Sequence, residues 1–353
     1  MDCGKLTESI YERSVIKVMQ ANSGGAGLKA DCAILTNALE TEKSVDIVSG
    51  QAMANGMDSN VAARAYLASI NHLTVCCANL TMSEIPHAYV NLTLVVPEKL
   101  REIKMRNMIE NAAIWAKRIK IPILSCNVQA LPTVTQAMAV CVANASITSL
   151  TDKRKMNTEA VEEDIVMTKW IALEGTSLIA NDSFDVLCGR YPRDIVEEAA
   201  GFSCYLPIIS EAACAVKSGA SSLCLPREGG IFGGLWQLAS GKGVGLVVDL
   251  KCIPVRQETI ELCEYFDINP YELLAGGSLL ATTKNGGELV RAFSVLGIPA
   301  AVIGRTVKGN DRIICRDGET RYLEPAKGDE IFRYYTYKDT NIGINQNGGK
   351  RKV

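Results

Sequence analysis

Two histidines, His72 and His87, and thirteen cysteines set the limits of the side-chain chemistry open to this chain. A Ser-His-Asp or Cys-His arrangement needs a histidine held beside its nucleophile, and two histidines leave little room for one. A zinc or iron centre built on histidine is short of ligands, and there is no C-x-x-C. Cys76 and Cys77 are adjacent, a poor geometry for sharing a metal. Spread along 353 residues, the cysteines read as small buried apolar side chains rather than a disulfide framework. General nucleotide motifs are also absent. Gly241-Lys242-Gly243 has glycine where a phosphate-binding P-loop needs Ser or Thr. Gly243-Val244-Gly245 precedes a strand, where a dinucleotide fingerprint would join a strand to a helix.

Two stretches of the second half carry more information. Met167-Thr168-Lys169-Trp170-Ile171-Ala172-Leu173-Glu174-Gly175-Thr176-Ser177 runs from a strand into a helix. Gly175 and Thr176 at a helix start would offer free backbone N–H groups and a hydroxyl to an anion. The same pair also reads as an ordinary helix cap with a close-packing glycine. Arg227-Glu228-Gly229-Gly230-Ile231-Phe232-Gly233-Gly234-Leu235-Trp236 brings four glycines together, so backbone must approach something closely, either a ligand phosphate or a neighbouring element. Glu228 is a candidate base or ligand there, though acids also simply favour helix starts.

These segments sit in a chain long enough for two domains. Apolar residues make up 48% and charged residues 22%, the balance of a globular protein. A net charge of -2, without a basic stripe interleaved with aromatics, gives no field for nucleic acid. No apolar run approaches the ~20 residues of a membrane span. Met1 to Lys5 carries Asp2 and lacks an apolar stretch, so a cytoplasmic protein is expected.

The pattern predicts a mixed α+β first domain over 1–150, with helices on one face of its sheet. Val45–Val48 reads as a strand, Val61–Leu80 as a buried helix, and Tyr89–Val96 as a strand stopped by Pro97. An amphipathic helix opening at Pro97 follows, with Met105, Met108, Ile109, Ala112, Ala113, Ala116 and Ile119 on one stripe. Strands are then expected from Ile123 and over Val134–Ala143. The acid-rich run Thr148–Asp164 reads as a junction. The second domain, 151–340, should hold strands at Ile165–Ile171, Val244–Asp249 and Ala300–Ile303. Helices are expected over Asp194–Ala200, Pro207–Lys217, Gly229–Ala239, Glu258–Phe266 and Gly286–Val295, with a hairpin turning at Asp317-Gly318. The Gly/Asn/Lys-rich stretch 341–353 is expected to be a disordered tail.

The M-T-K-W-x-x-x-E-G-T segment, the E-G-G-x-x-G-x-L-W helix and the run Ile253 to Cys263 together resemble the superfamily of aminoimidazole-ribonucleotide (AIR) synthetase and the hydrogenase-maturation carbamoyl dehydratase. Asn269-Pro270, Gly276–Thr282 and Ile298–Gly304 continue the likeness, which is strong in the second half and weak in the first. The resemblance implies a two-domain AIR-synthase-like fold and a homodimer whose N-terminal sheets pair into a barrel-like core. It also implies Mg-ATP held along the N-terminal domain by four acidic or glycine-rich elements.

Those elements have diverged here. The first, usually G-x-G-E-D, reads Gly27-Leu28-Lys29-Ala30-Asp31. The second, usually an acid after a strand, reads Ser49-Gly50-Gln51-Ala52-Met53. The third, usually N-D, reads Asn71-His72, and the fourth, usually G-G-H-T-E, reads Ser125-Cys126-Asn127-Val128-Gln129. Of the usual acids only Asp31 remains, a candidate metal or phosphate contact or else a solvated loop aspartate, with Lys29 and His72 as residues that could hold phosphate directly, though His72 within a buried helix also reads as a core histidine. Magnesium wants carboxylate and phosphate oxygens. One unit-charge contact at 4 Å is worth roughly 4 kcal/mol at an effective dielectric near 20, so loss of several weakens ATP and Mg2+ binding by orders of magnitude. The acid-x-Thr before the E-G-G turn is replaced by Cys224-Leu225-Pro226-Arg227, and no cysteine follows Cys315 to carry a carbamoyl group. The main reading is therefore a non-catalytic, ligand- or partner-binding dimer, either a homodimer or a heterodimer with an active paralogue. The alternative is an ATP-dependent enzyme that activates a small carbonyl- or amide-type substrate through altered residues. The latter needs Asp31, Lys29, His72, Gly175, Thr176, Glu228, Gly229 and Gly230 to serve one nucleotide.

Overall fold

Apolar alternation in long strands builds the first of two sheets. The computed structural model describes residues 17, 27–28, 32–35, 46–80, 84–85, 87–147 and 162–347. Strands β1 (Gly27–Leu28), β2 (Cys32–Leu35), β3 (Asp46–Gly56), β4 (Ala88–Pro97), β5 (Ile123–Leu131) and β6 (Ala137–Ile147) form a sheet in the order β1-β2-β3-β6-β4-β5. Its described pairings are antiparallel except β4 with β5, which run parallel. Helix α1 (Val61–Asn79) is Ala-rich and buried over almost its whole length. It lies so close to β3 that a side chain at Gly50 would collide with the Leu73 backbone. Helix α2 (Glu102–Ile119) buries only Met108 and Ala112 of its expected stripe. It starts five residues after Pro97, because that proline completes β4.

The second sheet holds β7 (Asp164–Thr168), β8 (Ser222–Cys224), β9 (Gly245–Asp249), β10 (Leu280–Thr283), β11 (Ala300–Val307), β12 (Arg312–Arg316) and β13 (Glu319–Tyr322), ordered β13-β12-β9-β11-β7-β10-β8. Its helices are α3 (Leu173–Asp182), α4 (Phe184–Cys188), α5 (Arg193–Ala200), α7 (Gly230–Lys242), α8 (Gln257–Tyr265), α9 (Gly286–Val295) and α10 (Glu330–Asn347). Ile165, Met167, Ile179, Leu235, Leu246, Leu262, Leu280 and Ile303 share one apolar core. The β12–β13 hairpin turns at Asp317 and Gly318, both with positive φ (52° and 84°), the two-residue turn that the Asp-Gly pair predicts. β11 carries a bulge between Val302 and Gly304, where a side chain at Gly304 would strike the Val247 carbonyl.

The chain divides into two compact units. Among the described residues the N-terminal unit takes 17–147 and also Pro207–Leu223, with helix α6 (Ile209–Lys217). The C-terminal unit takes 162–206 and 224–347. Sequence reading puts 207–223 in the second domain; the structure ties it to α1 instead. Asn71 Oδ1 accepts from the Ile208 N–H (3.3 Å), and the Asn79 amide both donates to the Leu223 carbonyl (2.9 Å) and accepts from its N–H (2.8 Å). Two acids of the expected junction are built into the C-terminal unit. Glu163 is buried against Lys242 (2.5 Å), and Asp164 Oδ2 accepts from the Gly286 N–H (2.9 Å). Helix α10 runs through Asn347, into the stretch read as a tail; residues 348–353 lie outside the described set. Among the described residues no single helix is long and apolar enough to cross a membrane.

Candidate functional site

The candidate residues divide between the two units. In the C-terminal unit, α3 opens after Ala172, which takes a left-handed conformation (φ 57°) at the end of the turn leaving β7. Gly175 and Thr176 are therefore the third and fourth residues of the helix. The Gly175 N–H donates to the Leu274 carbonyl (2.9 Å), and a Cβ there would lie 2.5 Å from Leu273 Cγ. The Thr176 hydroxyl meets the Thr259 hydroxyl at 3.0 Å, fully buried. These contacts make the Gly-Thr pair a packing junction between α3, α8 and the loop before β10.

The glycine-rich turn is organised by charge. The Arg227 guanidinium donates to both Glu174 oxygens (3.1 and 3.0 Å), and both side chains are about as buried as core residues, 5% and 3% exposed. Arg227 also pairs with Glu228. The Arg227 carbonyl accepts from the Ala275 N–H (3.0 Å). Gly229 and Gly230 adopt positive φ (76° and 65°), and a side chain at Gly230 would collide with the Tyr271 carbonyl. The Gly229 N–H donates to Asp329 Oδ2 (2.8 Å) and the Phe232 N–H to the Tyr271 carbonyl (3.2 Å). Asp329 Oδ1 accepts from the Leu274 N–H (3.1 Å) and the Ile331 N–H (2.9 Å). Burial pushes the Asp329 carboxyl up to about 7, against three N–H donors that favour its anion; nearby Glu228 adds to the rise.

In the N-terminal unit, the second diverged element lies inside β3 and the third in the middle of α1. They meet: His72 Nδ1 is 2.7 Å from the Gln51 carbonyl. Asn71 is taken by Ile208, so this Asn-His pair serves the join of helix to sheet and to α6. The fourth element is different. Ser125–Gln129 lies on β5, the last strand of its sheet, and is mostly exposed, with the Ser125 hydroxyl donating to Asn91 Oδ1 (2.8 Å). Leu124 beside it is 64% exposed. Lys29 and Asp31 lie outside the described residues. Among those described, no group of three or more His, Cys, Asp or Glu side chains could hold a metal ion. The donors of the second to fourth elements are amides, hydroxyls and an imidazole, which do not fit magnesium.

Among the described residues Cys77, Cys141 and Cys263 are buried packing side chains, whereas Cys126, Cys204 and Cys252 are exposed, so the all-buried reading holds only in part. Burial lifts the thiols of Cys77, Cys141 and Cys263 to about 12, so they stay protonated. Three residues organise the C-terminal turn: Glu174 and Arg227, which the sequence showed only as motif members without a role, and Asp329, which it did not single out. Asp329 carries a local signal, an acid capping the helix that Glu330 opens. Its bonds to Gly229 and Leu274 span 100 and 55 residues, and no pattern announces them.

No family model matches the chain. The carbamoyl dehydratase HypE of Rhizobium leguminosarum bv. viciae is 21% identical over 257 residues, 69% of this chain and 70% of that protein. HypE of Rhodobacter capsulatus is 28% identical over 114 residues, 30% of this chain and 33% of the relative. Among solved structures, AaThiL complexed with AMPPCP and TMP superposes with a TM-score of 0.65 at 13% identity, over 93% of this chain and 99% of ThiL. A HypE–HypF complex gives 0.62 at 14% identity (88% and 98%), and HypE in complex with ATP gives 0.58 at 13% (92% and 95%). The chain has the fold of HypE and ThiL. Both of its sheets and nearly its whole length take part in that likeness, so the resemblance read from the second half extends, as a fold, over the first.

Proposed function

We propose that the chain is a nucleotide-dependent enzyme that binds ATP on its N-terminal unit and uses it to activate a small carbonyl- or amide-type substrate by phosphoryl transfer. The observation that carries this reading is the near full-length likeness in fold to ThiL bound to AMPPCP and to HypE bound to ATP. Phosphoryl transfer asks mainly for positioning and for stabilisation of charge on the transferred oxygens. In this reading Asp31 and Lys29 act on the phosphates from the segment between β1 and β2. His72 on α1, oriented by its contact with the Gln51 carbonyl, is the third phosphate contact of this reading. The described donors do not suit magnesium, so no step is assigned to a metal apart from a single contact at Asp31.

The same reading makes the working form a dimer joined through the N-terminal unit. Strand β5 supports it: nine residues at the sheet edge, exposed along most of their length and free of charged side chains. Monomeric proteins usually blunt such an edge with charge, proline or a covering element.

A second reading is favoured by one specific observation. The second and third elements contain no carboxylate, and their polar groups serve the packing of α1. This supports a non-catalytic relative that binds a ligand or partner, including a heterodimer with an active paralogue. Calorimetric titration of the purified protein with ATP, with and without Mg2+, separates the two. The enzyme reading expects saturable binding that Asp31→Ala weakens at least ~10-fold, about 1.4 kcal/mol. Absence of heat in both titrations would favour the partner-binding reading.

A further inference from the structure

The turn that opens α7 has the features of an anion seat: two left-handed glycines and a helix N-terminus whose N–H groups need acceptors. In this chain the acceptor comes from within. Asp329 is 92% buried by its 8% exposure, and its two oxygens take N–H bonds from three segments: Gly229 of the turn, Leu274 of the loop before β10, and Ile331 of its own helix. An ordinary cap for α10 would need only the Ile331 bond. The segment leading to it is laid over the turn as well: a Cβ at Gly229 would come within 2.8 Å of the Ala326 Cβ, and Leu323 is buried in the core. An ionised carboxylate has two acceptor oxygens and no donor, so it reproduces what two phosphate oxygens would offer the same amides.

We infer that Asp329 is the resident anion of the Gly229–Gly230 turn, carried in by the strap 323–329 so that the chain closes its own seat against an outside phosphate or carboxylate. Glycines whose sequence leaves open a ligand phosphate or a neighbouring element then serve α10, and docking of α10 and occupancy of the seat become one event. The inference stands independently of whether ATP binds the N-terminal unit.

Chemical rescue tests it on the full chain at pH 8, where the Asp329 carboxyl is ionised. Asp329→Gly should lower Tm by about 10 °C, as expected for orphaning several buried N–H groups. Sodium formate should then restore most of the loss, while sodium chloride at equal ionic strength should not. Asp329→Asn, which keeps the volume but offers one acceptor oxygen and a clashing donor, should not respond to formate. Wild-type Tm should be unmoved by formate. Equal restoration by chloride, or no restoration by formate, would overturn the inference. Should the glycine variant not fold, amide resonances of the wild type decide: Gly229 and Leu274 unmoved by phosphate support a closed seat, and phosphate-induced shifts of both show an open one.

Discussion

The two units treat their motif residues in opposite ways. In the C-terminal unit the E-G-T and E-G-G segments are locked into a closed polar network. Glu174 and Arg227 pair in the core, Asp329 seats three amides, and Gly175 and Gly230 admit neighbouring backbone and side chains. In the N-terminal unit the second and third elements have been absorbed into the join of α1 to its sheet, while the fourth lies open on β5. The segments with the strongest motif likeness are thus the ones already satisfied inside the chain. Glycine-rich sequence reports that something approaches the backbone; here the approaching group is protein. The proposed function places ligand and partner chemistry on the unit whose motifs are the more diverged.

Breaking the C-terminal network should have the largest effect. Arg227→Met leaves Glu174 as an uncompensated buried charge and should cost ~3–5 kcal/mol in chemical denaturation. A cost below about 1 kcal/mol would mean the network is not closed. Gly175→Ala presses a methyl group against Leu273 and should destabilise by ~1–3 kcal/mol. On the other side of the comparison, Leu124→Lys on the exposed edge of β5 should leave Tm unchanged yet weaken self-association by at least ~10-fold, about 1.4 kcal/mol, in sedimentation equilibrium. A monomeric wild type would remove the dimer from the proposal.

Per pH unit, the most gradual effect is a pH dependence. The Asp329 carboxyl is raised by burial from 3.8 in the unfolded chain to about 7, with Glu228 facing it from the turn. Arg227 stands in that turn, and Glu272 and Glu330 stand on the neighbouring loop and on α10. Between those two values the folded state holds a proton that the unfolded state has released. Its stabilising contribution is therefore full below about 4 and is lost as pH rises toward 7, with a slope approaching 1.4 kcal/mol per pH unit. Asp329→Asn should flatten that part of the stability profile; an unchanged profile would assign the slope to other groups.

Much of the architecture was legible along the chain. The Val61–Asn79 helix, the Ala88–Pro97 strand, the Gly286–Val295 helix and the Asp317-Gly318 hairpin follow from apolar period, proline and turn chemistry, each local to a few residues. Strand ends were less legible. β3 and β6 run eleven residues each, because pairing with each other extends them past their most apolar stretches. The acids Glu163 and Asp164 read as part of a domain junction and prove to be structural, which was not legible because their partners Lys242 and Gly286 are distant in sequence.

The sequence by itself determined the element types, the spacing of the glycine-rich turns, the scarcity of histidine and the lack of acids in the second to fourth elements. Each is a property of residue type at a position. Tertiary structure decided that 207–223 joins α1, that Asp329 reaches Gly229 and Leu274, and that Arg227 neutralises Glu174. These are contacts between residues tens of positions apart. Which groups meet is set by how the sheets and helices pack, and burial then favours arrangements in which the enclosed polar groups find partners.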